Sequence, residues 1–234
     1  MFSETLRQSL DLSIFWEYRQ TLLVGLLQNV YIFFASAALA MALAVVVGLA
    51  RLSKRFWVRG LSTFYVELFR NTPEFVLLIW VYYVLPILLS RLLATQFNLS
   101  PFLAAVLGLG VAYSGFMSET VRAGIQAIPK GHREAGTALG MRDGAILRRI
   151  VLPQALRRML PEMLSQLVSL FKATSIVSLI AVPDIMYQVS MVNVEQMRPL
   201  PLYTGAALLF CLVIISATQM IQILSERWRR RGWA

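Results

Sequence analysis

The chain holds one cysteine, Cys211, and one histidine, His132, among 234 residues. A disulfide framework needs paired cysteines, and a zinc site needs several Cys or His ligands at close spacing, so neither is expected. The same scarcity removes a Ser/His/Asp or Cys/His nucleophile, and no enzyme chemistry is expected of the chain. No G-x-x-x-x-G-K-[ST] phosphate loop occurs, which excludes nucleotide binding of that kind. Charge is also sparse, at 15% of residues, and the acidic share is thinner than the basic one, 12 against 22. Residues 1–20 lack a basic start leading into a short apolar core and a small-residue cleavage site, which argues against a cleaved signal peptide.

What the chain has instead is apolar bulk. Hydrophobic residues make up 58% of it and the mean hydropathy is +0.65, too high for an ordinary soluble domain. The formal charge of +10 would suggest nucleic acid in a soluble protein. Here the basic residues fall between apolar runs, so they read as a topology signal. The expected fold is an all-α membrane protein with five transmembrane helices, near 22–50, 61–89, 101–128, 156–182 and 202–224. Residues 1–20, with Phe15, Trp16 and Tyr18, form an interfacial segment. The membrane domain covers 21–225 with a cytoplasmic loop at 129–155, and 226–234 is a basic tail.

Basic residues fix the orientation. Four Lys/Arg lie in 51–60, seven in 129–158 and four in the tail, whereas the other side has only Arg7, Arg19, Arg91 and Arg198. The positive-inside rule then puts the N-terminus outside and the C-terminus in the cytoplasm. Five spans without a repeat between halves cannot build an internal inverted repeat, so a symmetric pathway needs a second subunit.

The fourth span carries the sharpest polar signal. Lys172 lies inside an apolar run, where an unpaired charge costs about 2.5–3.5 kcal/mol on insertion scales. Glu162, Ser165, Ser169, Lys172, Ser175 and Ser178 recur at spacings of three or four and share one helix face. Serines alone would serve as helix–helix packing. Packing does not require a lysine, which favours a polar pathway. In the second span Glu67, Arg70 and Glu74 are placed to neutralise one another, which leaves a structural ion-pair cluster and a substrate role equally open, and Pro73 should kink the helix. Tyr113, Ser114, Ser118 and Glu119 make a polar turn before Arg122; spacing leaves open whether Glu119 faces a neighbouring helix or the pathway.

The most ordered hydrophilic stretch is 134–153, EAGTALGMRDGAILRRIVLP. An Ala/Leu-rich turn meets Gly140, then Asp143 opens a second helical run that should stop at Pro153. Glu134-Ala135-Gly136, Gly140 and Ile150-Val151-Leu152-Pro153 resemble the EAA signature of ABC-importer permeases, with Gly136 at its third small position. Arg70-Asn71-Thr72-Pro73, Ile128-Pro129-Lys130-Gly131, Pro153-Gln154-Ala155-Leu156-Arg157 and Lys172-Ala173-Thr174-Ser175 are similar to motifs of the polar amino acid permeases, Ala173 standing where that family usually has Asp. The likeness covers about 20–225.

The resemblance implies a type I ABC importer permease fold in the bacterial inner membrane. It implies a second permease subunit, either the same chain or a related one, and two ATPase subunits that hold ATP and Mg²⁺. A periplasmic or lipid-tethered solute-binding protein would deliver the solute. Glu134, Ala135, Gly136, Ala138, Leu139, Gly140 and Met141 would form the coupling helix seated on the ATPase. The resemblance places Ser165 and Gln166 in the substrate cavity, and with the polar residues singled out above the expected path comprises Ser165, Gln166, Ser169, Lys172, Thr174, Ser175, Arg70 and Glu119. Neutral Ser165 and Gln166 disfavour a strongly cationic solute selected by an acidic ligand here. The substrate would be a polar amino acid or a derivative such as an opine. The rival reading is an ion-coupled carrier or channel subunit that uses the intramembrane carboxylates.

Overall fold

The computed structural model describes residues 13–228, which are largely helical. Most of the expected interfacial segment, 1–12, and the end of the basic tail, 229–234, lie outside the described residues. In chain order the helices are α1 (Ser13–Glu17), α2 (Arg19–Ala50), α3 (Phe56–Asn71), α4 (Glu74–Leu93), α5 (Pro101–Gln126), α6 (Lys130–Ala138), α7 (Asp143–Ile180), α8 (Ile185–Gln196) and α9 (Pro199–Trp228). Five of them, α2, α4, α5, α7 and α9, are long and apolar enough to cross a membrane. With 32 residues, α2 exceeds the roughly 20 needed to cross a bilayer. Leu23, Val24, Leu27, Phe34, Leu208 and Leu212 stand exposed along α2 and α9, as lipid-facing side chains do.

Prolines shape three of these helices in two ways. Thr72, before Pro73, adopts an extended backbone (φ −90°, ψ 127°). The proline ring crowds an α-helical predecessor and drives it out of that region. The expected kink is therefore a full break, and the expected second span becomes two helices, α3 and α4. Elsewhere the chain keeps its helix. A π-helical turn at Trp80–Val84 precedes Pro86, and another at Leu147–Val151 precedes Pro153. The wider turn changes which carbonyl faces the ring and absorbs the missing donor. The helical run that opens at Asp143 accordingly does not stop at Pro153; it continues into the fourth span.

The chain divides into two compact units. Of the described residues, the first comprises 13–37, 73–110 and 168–218. Its core gathers Ile14 and Leu22 with Ile185, Val189 and Val192 of α8 and Leu202 and Ala206 of α9. Gly25 lets α2 approach the α8 backbone: a Cβ there would lie 2.8 Å from Ile185 Cα. Asn29, fully buried, donates to the Thr174 carbonyl and hydroxyl (both 3.1 Å) and to Asp184 Oδ2 (3.2 Å), and its Oδ1 accepts from the Ile185 amide (3.1 Å).

Of the described residues, the second unit comprises 38–72, 111–167 and 219–228. Within it α5 is the central packing element, burying Ala112, Tyr113, Met117, Val121 and Ile125. The Gly48 position touches Val121, where a Cβ would come within 2.8 Å, and a Cβ on Gly124 would overlap the Met159 side chain. Tyr65 Oη and Ser114 Oγ share a 2.7 Å hydrogen bond that ties α3 to α5.

Candidate coupling loop and polar stripe

The loop helix α6 belongs to the second unit. It starts after Pro129, whose φ is −55°. That ring-fixed angle suits the position before the first helical turn. The helix ends in a paired cap. The Gly140 amide donates to the Thr137 carbonyl (2.9 Å) and the Met141 amide donates to the Gly136 carbonyl (3.0 Å). That pair of hydrogen bonds needs a left-handed residue, and Gly140 supplies it at φ 72°. The helix is thereby ended sharply and held against the start of α7.

Its outer face is bare. Glu134, Ala135, Ala138 and Leu139 are exposed, Leu139 at 79%, while Met141 is half-buried. A leucine so exposed beside two alanines makes a small apolar knob that water solvates poorly. Gly136 differs from its neighbours: it is buried, and its missing side chain makes room for Ile146 and Ile150. It belongs to the inner face of the helix and not to the knob.

Along α7, Glu162, Ser165, Ser169 and Lys172 are exposed and Gln166 is half-buried. Gln166 Nε2 donates to Glu162 Oε1 at 3.0 Å. The Lys172 ammonium has no partner among the described residues and stays within a helix long enough to span the membrane. Past Lys172 the helix tightens into a 3₁₀ segment, Thr174–Ile180. There the Ser175 hydroxyl donates to the Lys172 carbonyl (2.9 Å) and the Ser178 hydroxyl to the Ser175 carbonyl (3.2 Å). The stripe therefore continues as backbone-bonded hydroxyls. Thr174, expected on the substrate path, is instead fully buried under Asn29.

The remaining charged positions resolve differently from their spacing. Glu119 is held by Arg51 from the end of α2 and by Arg122 one turn on. Arg122 also donates to Gln126 Oε1 at 2.6 Å. Glu119 therefore faces a neighbouring helix, and its carboxylate is committed to two guanidiniums. Spacing does not reveal Arg51 as a partner, because 68 positions separate the pair. Arg70 lies over the Phe116 ring, 5.8 Å from its centroid, and Glu67 accepts from Asn71 Nδ2 (3.1 Å). Among the described residues no ion pair joins Glu67, Arg70 and Glu74, since the break at Thr72 puts Glu74 on another helix. Glu119, Glu162, Gly124 and Arg158 border an open groove of about 320 Å³ between α5 and α7. The Arg158 guanidinium donates to the Ala127 carbonyl (2.7 Å). A basic side chain there satisfies a carbonyl that the end of α5 leaves open.

Two polar positions that spacing does not single out also matter: Asn29 inside an apolar run, and Asp184 ahead of α8. An amide inside a span is a partner-seeking group, and these two meet across 155 positions. No group of His, Cys, Asp and Glu among the described residues is arranged to hold a metal ion.

Residues 40–230 match the family described as "Binding-protein-dependent transport system inner membrane component". The chain is 35% identical over 168 residues to the arginine ABC transporter permease protein of Haemophilus influenzae, covering 72% of this chain and 76% of that one. It is 32% identical over 200 residues to the arginine transport system permease protein of Bacillus subtilis (84% and 87% covered), and 26% identical over 219 residues to the glutamine transport system permease protein of Escherichia coli (94% and 98%). Among solved structures, an amino acid ABC transporter crystallised with histidines superposes with a TM-score of 0.84 at 24% identity, covering 93% of this chain and 98% of that one. The MetNI methionine ABC transporter gives 0.67 at 18% identity, covering 88% and 97%.

Proposed function

Because the chain belongs to the family of binding-protein-dependent transport system inner membrane components, we propose that it lines the translocation path of an ATP-driven amino acid importer and takes its drive through α6. It is a multi-pass membrane subunit with no ATPase site of its own. Two partner ATPase subunits bind ATP and Mg²⁺, a second permease subunit completes the path, and a solute-binding protein delivers the solute on the outer side. In this reading the N-terminus is outside, and α6 lies in the cytoplasm of a bacterium.

The observation that carries the coupling role is the exposed apolar knob on a helix that starts at Pro129 and stops at Gly140. A rigid, partly apolar projection transmits force when it is seated in a groove, whereas a solvated loop would bend. Glu134 at its edge supplies charge for register. The polar stripe Ser165, Gln166, Ser169 and Lys172 faces the path, because an unpaired lysine at membrane depth needs water or a polar partner. Relatives named for arginine, cystine and glutamine transport span charged and neutral side chains. The substrate class is accordingly polar amino acids or close derivatives, including opines.

The test is uptake in proteoliposomes containing the assembled transporter. Glu134→Lys and Gly140→Asp should each leave the permease in the membrane but abolish ATP-driven uptake. Normal uptake by both variants at normal expression would overturn the coupling role of α6.

A further inference from the structure

We infer that Gly136 and Ile146 form a volume-matched pair that sets the seat of α6, so that residue 136 is a positioning residue for coupling. This inference rests on the coupling role of α6 proposed above.

Gly136 is the buried residue in a stretch whose neighbours on both sides, from Gly131 to Gly140, are exposed. A Cβ at 136 would lie 2.8 Å from Ile146 Cγ1, 3.1 Å from Ile146 Cδ1 and 3.3 Å from Ile150 Cδ1. The first distance is one that packed carbon atoms do not tolerate, and Cγ1 cannot swing aside as a chain end can. A β-branched side chain on a helix is held to one χ1 rotamer, so relief must come from the backbone. Ile146 is itself only 4% exposed and closes the first turn of α7 immediately before the π-helical turn Leu147–Val151. That side of the contact is pinned by the run of α7 toward the membrane. The lighter side is α6, anchored at this same residue by the Met141 amide bonded to the Gly136 carbonyl.

A methyl group at 136 therefore tilts or lifts α6 and strains its cap, moving Leu139 relative to α7. Glycine at the third position of the signature is thus matched to an isoleucine ten residues on. The pair behaves as one unit: enlarging 136 is harmful while Ile146 is present and harmless once Cγ1 is gone.

The experiment is a double-mutant cycle in the assembled transporter, measuring uptake per ATP hydrolysed in proteoliposomes, with co-purification of the ATPase as a check on assembly. Gly136→Ala should lower that ratio at least about fivefold, as overpacking in a rigid contact does. In an Ile146→Ala background the same change should be neutral or beneficial, a reversal of sign that a simple structural lesion would not give. If Ile146→Ala prevents assembly, Ile146→Val removes Cδ1 alone and should relieve the Gly136→Ala defect in part. Equal effects of Gly136→Ala in both backgrounds, or no effect in either, would overturn the pairing. Glu134→Lys and Gly140→Asp, run in parallel, separate the two readings: normal uptake by both removes the coupling role, whereas uncoupling by them with no dependence on residue 146 removes the pairing alone.

Discussion

Asn29 and Thr174 stand 145 positions apart and share two hydrogen bonds of 3.1 Å, both donated by the same amide nitrogen. Through that amide the first span is fastened to the 3₁₀ end of the fourth and to the start of α8. The amide uses both ends: Nδ2 also reaches Asp184 and Oδ1 takes the Ile185 N–H. Replacing Asn29 by Ala leaves a buried amide and a buried carboxyl short of partners. Each stranded group costs about 1–3 kcal/mol. Asn29→Ala should therefore lower the melting temperature in detergent by several degrees, with the loss confined to this network. An unchanged melt would show that the three partners find other bonds.

Asp184 gives the same network a pH dependence. The residue lies between α7 and α8, outside the spanning helices, and burial pushes its carboxyl up to about 6. Hydrogen bonds from the Tyr187 amide and Asn29 oppose that rise without cancelling it. With a folded value above the unfolded one of 3.8, the folded state holds its proton longer. Its contribution to stability is full below about pH 4 and is lost as pH rises through about 6. Thermal melts should fall as pH rises from about 4 through about 6, and Asp184→Asn should flatten that slope. A slope of the opposite sign, or one retained in the variant, would contradict the assignment.

Gly140 separates conformation from size. Its φ is 72°, and no atom lies within 4 Å of where a Cβ would be. Space is free, and only the backbone objects to a side chain at positive φ. Gly140→Asn, a residue that tolerates the left-handed region and, unlike Asp, brings no charge to the docking face, should retain most ATP-driven uptake. Gly140→Val should lose far more, since a β-branched residue at positive φ costs upward of ~1 kcal/mol. Equal uptake by both variants would mean that the cap does not hold α6 in its working position.

Thiol labelling tests the polar stripe. Cys211 is exposed and must first be replaced, which leaves this chain without a thiol of its own. Cysteines at Ser165, Gln166 and Lys172 should then react with a membrane-impermeant reagent in at least one transport state. Thr174→Cys, buried beneath Asn29, should stay inert. Inert thiols at all three stripe positions, in resting and ATP-bound states alike, would place the path elsewhere.

Much of the site was legible as spacing. Polar residues three and four apart must share a helix face, so Ser165, Ser169 and Lys172 come out together along α7. A loop with glycine six residues past Glu134 had to end a helix there, and Gly140 does. The failures have physical causes of their own. Pro153 reads as a stop, because sequence does not show that a π-helical turn can absorb a proline, and Pro73 reads as a kink where the chain breaks. Thr174, two positions past Lys172, lies off the face that the stripe's spacing defines, and its hydroxyl is taken by Asn29 from a distant helix.

Local rules and hydropathy thus decided the number of spans, the helical class and the capped loop, since these depend on residues a few positions apart and on the bilayer as solvent. Tertiary structure decided which polar groups were free. Glu119 is taken by Arg51 and Thr174 by Asn29, while Lys172 has no partner among the described residues. Gly136, one more small residue in the written signature, proves to be the place where Ile146 fits. Those outcomes turn on distances between residues ten to 145 positions apart, and periodicity along a single helix carries no information about them.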